Sequence, residues 1–289
     1  MKTILYNIWH NIRYFLTHDF YMEENKNRLE LLDAAEWNMG GRESTGLKIL
    51  NQEDTLTVLS NNPKSFCRFG DGEINIIMGR GIPFQKYDDR LAQYLKEILS
   101  AKHADMYVGI NYYYYHDNSI FNEFNRSFYQ LYSYKFGRFF AEVCNKQNLY
   151  IDASFNQIYQ LYKEYDFETY FGRIKQLFSN KKLVIFSGNG VLTKLQYNLF
   201  ENAREVIYET GPSKNAFDKF DELLSRAKQY GKEYLLCFIL GPTSKALVYE
   251  LNYNGYYAWD IGHLAKDYNS YMMREERTED KLKRFYDPD

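Results

Sequence analysis

Three cysteines, Cys67, Cys144 and Cys237, are all that the chain has, and they stand far apart. Their scarcity excludes a disulfide framework and a clustered zinc site, and it fits a reducing compartment. No run of about 20 apolar residues occurs, so no membrane-spanning helix is expected. The N-terminus lacks the basic start, apolar core and small-residue cleavage site of a secretory leader, and the expected location is the cytoplasm. No Walker-type Gly-x-x-x-x-Gly-Lys-Ser/Thr segment is present. The Gly188-x-Gly190 pair lacks the third glycine of a dinucleotide fingerprint. Surplus charge is lacking too. A formal net charge of −2 gives no field that would gather nucleic acid or an anionic membrane.

What is abundant is aromatic. Of the 289 residues, 18% are Phe, Trp or Tyr, and 29 are tyrosines, many of them between Tyr107 and Tyr170. Tyrosine, with an apolar body and a polar tip, suits half-buried surfaces and carbohydrate or protein contacts. An A+T-rich coding sequence would enrich it as well. With 45% hydrophobic residues the chain is long enough for one large domain carrying an appended segment.

Residues 1 to about 20 read as a helix with Ile4, Leu5, Ile8, Ile12, Phe15 and Leu16 at helical spacing. Docking on the body of the protein is expected, with contact to a partner or to the inner face of the membrane as the alternative. Residues 21–50 are polar, with a break at Gly40-Gly41, so 1–50 form a helical N-terminal extension and 51–289 the main domain. Helices are predicted over 54–60, 87–99, 118–146 and 155–179, the last with a break near Asp166. The C-terminal half is regular. Apolar strands at 183–186, 206–208, 234–240 and 257–261 alternate with helices predicted after Gly190 through Phe200, over 216–230 and up to Tyr253. With strands at 65–69 and 106–110, this is an α/β, Rossmann-like chain with a mainly parallel sheet flanked by helices. Ligands are then expected at the carboxyl ends of the strands.

Those ends carry the candidate chemistry. After the strand at 65–69 come Gly70, Asp71, Gly72 and Glu73. The glycines permit a sharp turn, and two carboxylates with no basic residue between them favour a hard divalent cation. A solvated turn would carry the same residue types. Gly188-Asn189-Gly190 and Gly241-Pro242-Thr243-Ser244 follow two other strands. In the latter, Thr243 or Ser244 could sit beside free N–H groups of a helix start and seat a phosphate, though ordinary helix capping explains it equally. Asp260 and His263 close the last strand, and His263 is a candidate for metal binding, phosphate contact or base. Asn215 is a fair N-cap by type. Arg68, charged within an apolar strand, needs a partner, and Asp71, Glu73 or a substrate phosphate are candidates.

The segment Phe66-Cys67-Arg68-Phe69-Gly70-Asp71-Gly72-Glu73 resembles the start of the bacterial GT-D-fold glycosyltransferases. Ile82-Pro83-Phe84-Gln85, Asn215-Ala216-Phe217-Asp218, Leu240-Gly241-Pro242-Thr243 and Gly255 through His263 match further, in order, over roughly residues 50 to 275. Three segments depart from the family pattern: Val191 to Asn198, Ser154 to Tyr159, where no arginine stands, and Ala265 to Ser270, where only Asp267 and Tyr268 keep the acidic and aromatic character.

The resemblance implies a GT-D type domain that transfers a sugar from a UDP-sugar onto a glycan or glycosylated-protein acceptor. Mn2+ or Mg2+ would be held through Asp71 and Glu73, with His263 as a further metal or phosphate contact. Arg68, Asn215, Gly241, Thr243 and Ser244 would serve the donor site together with Gly188 and Gly190, and Asp260 or Asp267 are candidate bases. A metal-dependent phosphoesterase is the alternative that two carboxylates and one histidine permit, although no dense Asp/His cluster or basic groove accompanies them. A degenerate member that binds glycan or a partner without catalysis is another.

Overall fold

The computed structural model describes residues 2–17, 20–40, 42 and 46–285. Eight strands form one sheet, parallel at every pairing: β1 (Lys48–Ile49), β2 (Ser65–Arg68), β3 (Met106–Ile110), β4 (Leu149–Asp152), β5 (Lys182–Gly188), β6 (Glu205–Gly211), β7 (Tyr234–Ile239) and β8 (Tyr257–Asp260). Their order across the sheet is β1-β4-β3-β2-β8-β7-β5-β6. Strands β3, β5 and β7 are buried on both faces along most of their length, as their continuous apolar runs require.

Twelve helices accompany the sheet among the described residues: α1 (Lys2–Thr17), α2 (Phe20–Asn38), α3 (Gln52–Asn61), α4 (Asp71–Ile77), α5 (Asp89–Ser100), α6 (Glu123–Val143), α7 (Ile158–Leu161), α8 (Phe167–Phe178), α9 (Phe220–Ala227), α10 (Thr243–Tyr253), α11 (Leu264–Met272) and α12 (Glu279–Phe285). Local chemistry sets their starts. Asn51 accepts the Asp54 N–H at 2.8 Å to open α3, and Asp88 accepts the Leu91 N–H at 3.0 Å to open α5. None of them is long and apolar enough to cross a membrane.

The two halves of the sheet meet at β2 and β8, where the ladder is reduced to one register pair, Phe66 with Trp259. Side chains take over the missing hydrogen bonds. Ser65 Oγ accepts the Ala258 N–H (3.1 Å) and donates to the Tyr256 carbonyl (3.3 Å), and the Arg68 N–H donates to Asp260 Oδ2 (3.2 Å). Strands that part in this way leave a crevice at their carboxyl ends, which is where a sheet of this kind takes its ligand. Beneath it, Phe66 packs on Trp259 and Phe155, and Phe178 packs on Trp259 from the far side.

The structure departs from the sequence-based expectations in places and adds to them in others. Residues 191–200 run as turns, not a helix. Gly190 adopts φ +83°, and the Gln196 and Tyr197 N–H groups are taken by Asn269 Oδ1 at 2.8 and 3.1 Å instead of by helical carbonyls. The segment 149–152, left without assignment in the sequence, is strand β4, with Tyr150 and Ile151 fully buried. The helical stretch predicted at 155–179, with its break near Asp166, is α7 and α8, and Asp166 opens α8 by accepting the Thr169 N–H at 3.1 Å. Finally, among the described side chains of α1, Ile8, Ile12 and Leu16 of the apolar stripe are exposed rather than docked on the body, as is Trp9. In α2, Ala34 and Trp37 near its far end are the buried hydrophobics among the described side chains. Trp37 anchors that end against Gly137 of α6 and donates from Nε1 to the carbonyl of Tyr114, in the turn after β3, at 2.8 Å. The extension also reaches the sheet itself, because β1 lies within residues 1–50 and pairs with β4.

Candidate active site

A cavity of about 740 Å3 opens at the carboxyl ends of β2, β8 and β7. Its floor is a charged cluster that the fold assembles from four elements. Arg68 comes from the end of β2, Asp260 from the end of β8, Glu73 from the first turn of α4 and Lys245 from the first turn of α10. Lys245 Nζ lies 2.9 Å from Glu73 Oε1 and 3.1 Å from Asp260 Oδ2, and all three side chains are nearly excluded from solvent. Arg68 Nη2 meets Asp260 Oδ1 at 3.2 Å, and its Nε donates to the Asp260 carbonyl at 2.9 Å. Two cations and two anions therefore balance.

Burial works against charge on Lys245, but Asp260 and Glu73 outweigh it and raise its pKa. For Asp260 burial raises the carboxyl and the adjacent Arg68 and Lys245 more than reverse this, so it falls below the usual carboxylate range. Asp260 is thus held ionised, its oxygens engaged with cations, which suits an anchor better than a base.

Glu73 is engaged as well. Its Oε2 accepts the Gly70 N–H at 2.9 Å, closing the first turn of α4, while Oε1 faces Lys245. Asp71, the first residue of that helix, is exposed to the cavity. Desolvation by the cavity walls, and after it the negative charge of Glu73, push its carboxyl above the usual range. Among the charged groups here it is the carboxylate with no cation placed on it, and the cluster as a whole carries a charge of −1. A hard divalent cation suits that deficit.

His263 caps α11 on the same cavity, its ring 5.2 Å from that of Phe285. Burial and the neighbouring Arg68, Lys266 and Lys245 lower it to about 3, so the imidazole is neutral at physiological pH. Asp71, Glu73 and His263 share the cavity, but no three His, Cys, Asp or Glu side chains among the described residues converge into a ready metal centre. Ligand oxygens would have to complete the coordination.

Other sequence candidates stand behind the wall. The Arg68 partner is Asp260, not Asp71 or Glu73. Thr243 and Ser244 are fully buried. The Ser244 hydroxyl accepts the Leu240 N–H at 3.0 Å, and Thr243 faces Gln85 Oε1 at 3.5 Å. Asn215, with φ +52°, accepts the Lys86 N–H at 2.8 Å and donates from its own N–H to the Phe84 carbonyl at 2.8 Å. Asn215 and Thr243 brace the 82–85 turn, whose Ile82, Pro83 and Phe84 do line the cavity. Gly188 and Gly190 shape the turn after β5 from outside the lining, with Val191 and Leu192 next to them on the wall. Asp267 is fully buried under α7, where it accepts the Tyr159 and Gln160 N–H groups at 3.0 and 3.1 Å. Burial pushes it up to about 8, and it does not reach the cavity.

Two glycines are demanded by position. Gly241 has φ +57°, and a Cβ there would come within 2.9 Å of the Phe84 ring. Gly262 has φ +45°, and a Cβ would meet Arg68 Nη2 at 2.0 Å.

The residue that sequence reasoning missed is Lys245. A signal was present: a lysine in the first turn of a helix, where the dipole disfavours a cation, just ahead of the apolar run Ala246-Leu247-Val248.

Comparison with known proteins agrees with this geometry. The family model described as glycosyltransferase GT-D fold matches residues 66–285. The chain is 30% identical over 243 residues to a probable glycosyl transferase, Gly, of Streptococcus gordonii, covering 80% of this chain and 34% of that protein. It is 27% identical over 233 residues to the glycosyltransferase GlyD of Streptococcus pneumoniae serotype 4, covering 78% of this chain and 28% of that protein. It therefore spans about a third of the length of these curated relatives. A solved structure described as the domain of unknown function 1792 with a distinct glycosyltransferase fold superposes with a TM-score of 0.75 at 29% identity, covering 85% of this chain and 86% of that one. A glycosyltransferase of the same domain type from Streptococcus sanguinis superposes with a TM-score of 0.73 at 27% identity, covering 79% and 85%. With an all-parallel sheet opening at the β2–β8 junction and a family match that runs from β2 through α12, the chain belongs to the glycosyltransferases of GT-D fold.

Proposed function

We propose that this chain transfers a sugar from a nucleoside diphosphate sugar, a UDP-sugar by family likeness, to a glycan acceptor, and that a divalent cation at Asp71 assists departure of the diphosphate. The observation that carries this reading is the charge arrangement of the cavity floor. Four buried charges neutralise one another, and Asp71 is left exposed with a carboxyl that its surroundings hold above the usual range. A divalent cation at Asp71 offsets the floor's net charge of −1 on the side where the diphosphate meets it. Mn2+ or Mg2+, when bound, would offset the negative charge that develops on the leaving diphosphate.

The residues of the chain divide the remaining work. Asp71 is the direct ligand by exposure. Glu73, held by Lys245 and the Gly70 N–H, fixes the turn that presents Asp71. Lys266 and Lys283 on the cavity wall offer positive charge to phosphate oxygens. In the transfer, the anomeric carbon exchanges its bond to the diphosphate oxygen for one to the acceptor hydroxyl, and the hydroxyl proton is released. The neutral imidazole of His263 can donate or accept a hydrogen bond there without competing with the cation for charge.

The test is a panel of UDP-sugars with Mn2+, read as UDP release, on the wild type and on Asp71→Asn. The wild type should turn over at least one sugar. The variant should lose on the order of 10²–10³ of that rate, the usual cost of removing one electrostatic contribution to a transition state, while keeping its melting temperature. An Asp71→Asn variant with full Mn2+-dependent turnover would overturn the assignment. A wild type that binds UDP and turns over no sugar would favour the non-catalytic reading.

A further inference from the structure

Helix α1 carries an apolar face that the rest of the described structure leaves uncovered. Ile8, Trp9, Ile12 and Leu16 each keep half or more of their surface in solvent, from 50% at Ile8 to 75% at Leu16. Ile8, Ile12 and Leu16 follow one another by a helical turn, and with Trp9 they fall within an arc of about 100°. Four large apolar side chains on one arc form a patch, unlike single exposed residues scattered over a surface. His10, Asn11, Arg13 and Tyr14 fall outside that arc. Tyr14, almost opposite its centre, donates to Glu23 Oε2 of α2 at 3.0 Å. The polar side of α1 therefore turns toward α2 and the apolar side turns away. The far end of α2 is in turn tied to the body, through Trp37 and through Asn38 Nδ2, which donates to the Gln130 carbonyl at 3.0 Å.

Charge identifies what covers this face. Residues 1–18 contain Lys2, Arg13 and two histidines, and no Asp or Glu, in a chain whose net charge is −2. Cationic character is thus local to this helix. The Arg13 guanidinium lies 5.4 Å from the centre of the Trp9 ring, at the border of the apolar arc. An indole beside a cation at the edge of an apolar stripe suits the headgroup level of a bilayer, where the ring is half immersed and the guanidinium meets phosphate. With 16 residues and a polar side, α1 is not long and apolar enough to cross a membrane, so it would lie in the plane of the surface. A second copy of α1 would bring the same cations and no counter-charge. Helix α2 scatters its exposed Leu29, Leu31 and Leu32 round its axis among Glu30, Asp33 and Glu36, acids that an anionic surface repels. Contact is thereby confined to α1.

We propose that α1 binds in the plane of an anionic lipid surface, with Ile8, Trp9, Ile12 and Leu16 at the acyl boundary and Arg13 at the headgroups. The proposal stands apart from the sugar-transfer reading, since none of these residues lines the cavity. The test is co-sedimentation of the full chain with vesicles of equal parts phosphatidylglycerol and phosphatidylcholine, set against vesicles of phosphatidylcholine alone, with tryptophan emission recorded alongside. Trp37 and Trp259 are buried, so a blue shift on adding vesicles reports Trp9. The chain should bind the anionic vesicles with that shift, and bind the zwitterionic ones at least roughly fivefold more weakly, the scale for one basic side chain at an anionic surface. Ile8→Glu/Ile12→Glu should weaken binding on the order of a hundredfold, the cost of keeping two large apolar side chains in water. Its melting temperature should match the wild type, because both positions are exposed. Trp9→Ala, with an expected loss of roughly tenfold, gives an independent reading should the double variant fail to fold. Arg13→Gln should lower the preference for anionic vesicles and leave binding to phosphatidylcholine unchanged. Absence of binding to the anionic vesicles, equal binding to both kinds, or wild-type affinity in the apolar variants would overturn the proposal. So would a wild-type dimer in sedimentation equilibrium that Ile8→Glu/Ile12→Glu abolishes, which would assign the face to a second copy.

Discussion

Lys245 is the residue on which the site's electrostatics turn. A lysine excluded from water in the first turn of α10 is unfavourable by desolvation and by the helix dipole, and only Glu73 and Asp260 make it tolerable. The signs place this stabilisation across neutral pH. Lys245 is raised, so its contribution is complete below the ordinary lysine range and is lost as pH climbs through its folded value. Asp260 is lowered, so its contribution is present above the ordinary carboxylate range and is lost as pH falls through its folded value. Lys245→Met keeps the stem and removes the charge, leaving Asp260 with Arg68 alone and Glu73 without its ion pair. Urea unfolding should show a loss of about 3–5 kcal/mol, the scale for breaking a buried pair by removing one partner, and a loss below 1 kcal/mol would contradict it. The same change frees Glu73 Oε1, so Mn2+ binding by calorimetry should tighten in any variant that still folds. Asp71 and Glu73 were legible in the sequence because two glycines and two acids after an apolar strand leave few readings. Lys245 was not, because one lysine near a helix start looks like every solvated lysine until the fold supplies its partners.

At the level of elements, β2 and β8 matter for how little backbone ladder they share. One register pair joins them, and the Ser65 hydroxyl stands in for part of the rest by bonding the Ala258 N–H and the Tyr256 carbonyl. Ser65→Ala removes both bonds and strands a buried N–H and a buried carbonyl, which should cost about 1–3 kcal/mol. Hydrogen exchange should locate that loss in the amides of residues 257–260, and uniform loss across the sheet would argue against a local seam. Strands of the C-terminal half could be read from sequence because β5 and β7 are covered on both faces and so are apolar throughout. Strand β4 escaped because its four residues end in a buried aspartate, Asp152, that bonds the Ser154 and Tyr112 N–H groups and so looks like loop chemistry. Residues 191–200 misled in the opposite direction. Leu192 and Leu195 have helical spacing, yet they pack on the core from a turn whose hydrogen bonds go to Asn269, a partner more than 70 positions away. Local periodicity carries no trace of such a bond.

For the molecule as a whole, the seam and the site are the same place. The halves β1-β4-β3-β2 and β8-β7-β5-β6 are joined where Arg68 bonds Asp260, and the cavity lies directly over that junction, with Asp71 from one half and Lys245 and His263 from the other. A ligand that engages both sides cross-links the halves, so binding should stabilise the entire fold. Under the proposed function, UDP with Mn2+ at about 100 times its dissociation constant should add about 2.7 kcal/mol. That is roughly 5 °C or more for a chain of this size, seen as one cooperative transition in calorimetry. The increment due to Mn2+ must depend on pH with a definite sign. Asp71 has its carboxyl raised in the folded protein, so a cation competes there with a proton, and the increment should shrink as pH falls from neutral toward the carboxylate range. Asp71→Asn should lose the Mn2+ increment at every pH and keep whatever UDP contributes alone. Two separate transitions in the wild type, or an Mn2+ increment indifferent to pH and to Asp71, would mean that the junction of the sheet halves and the proposed cation site are independent features.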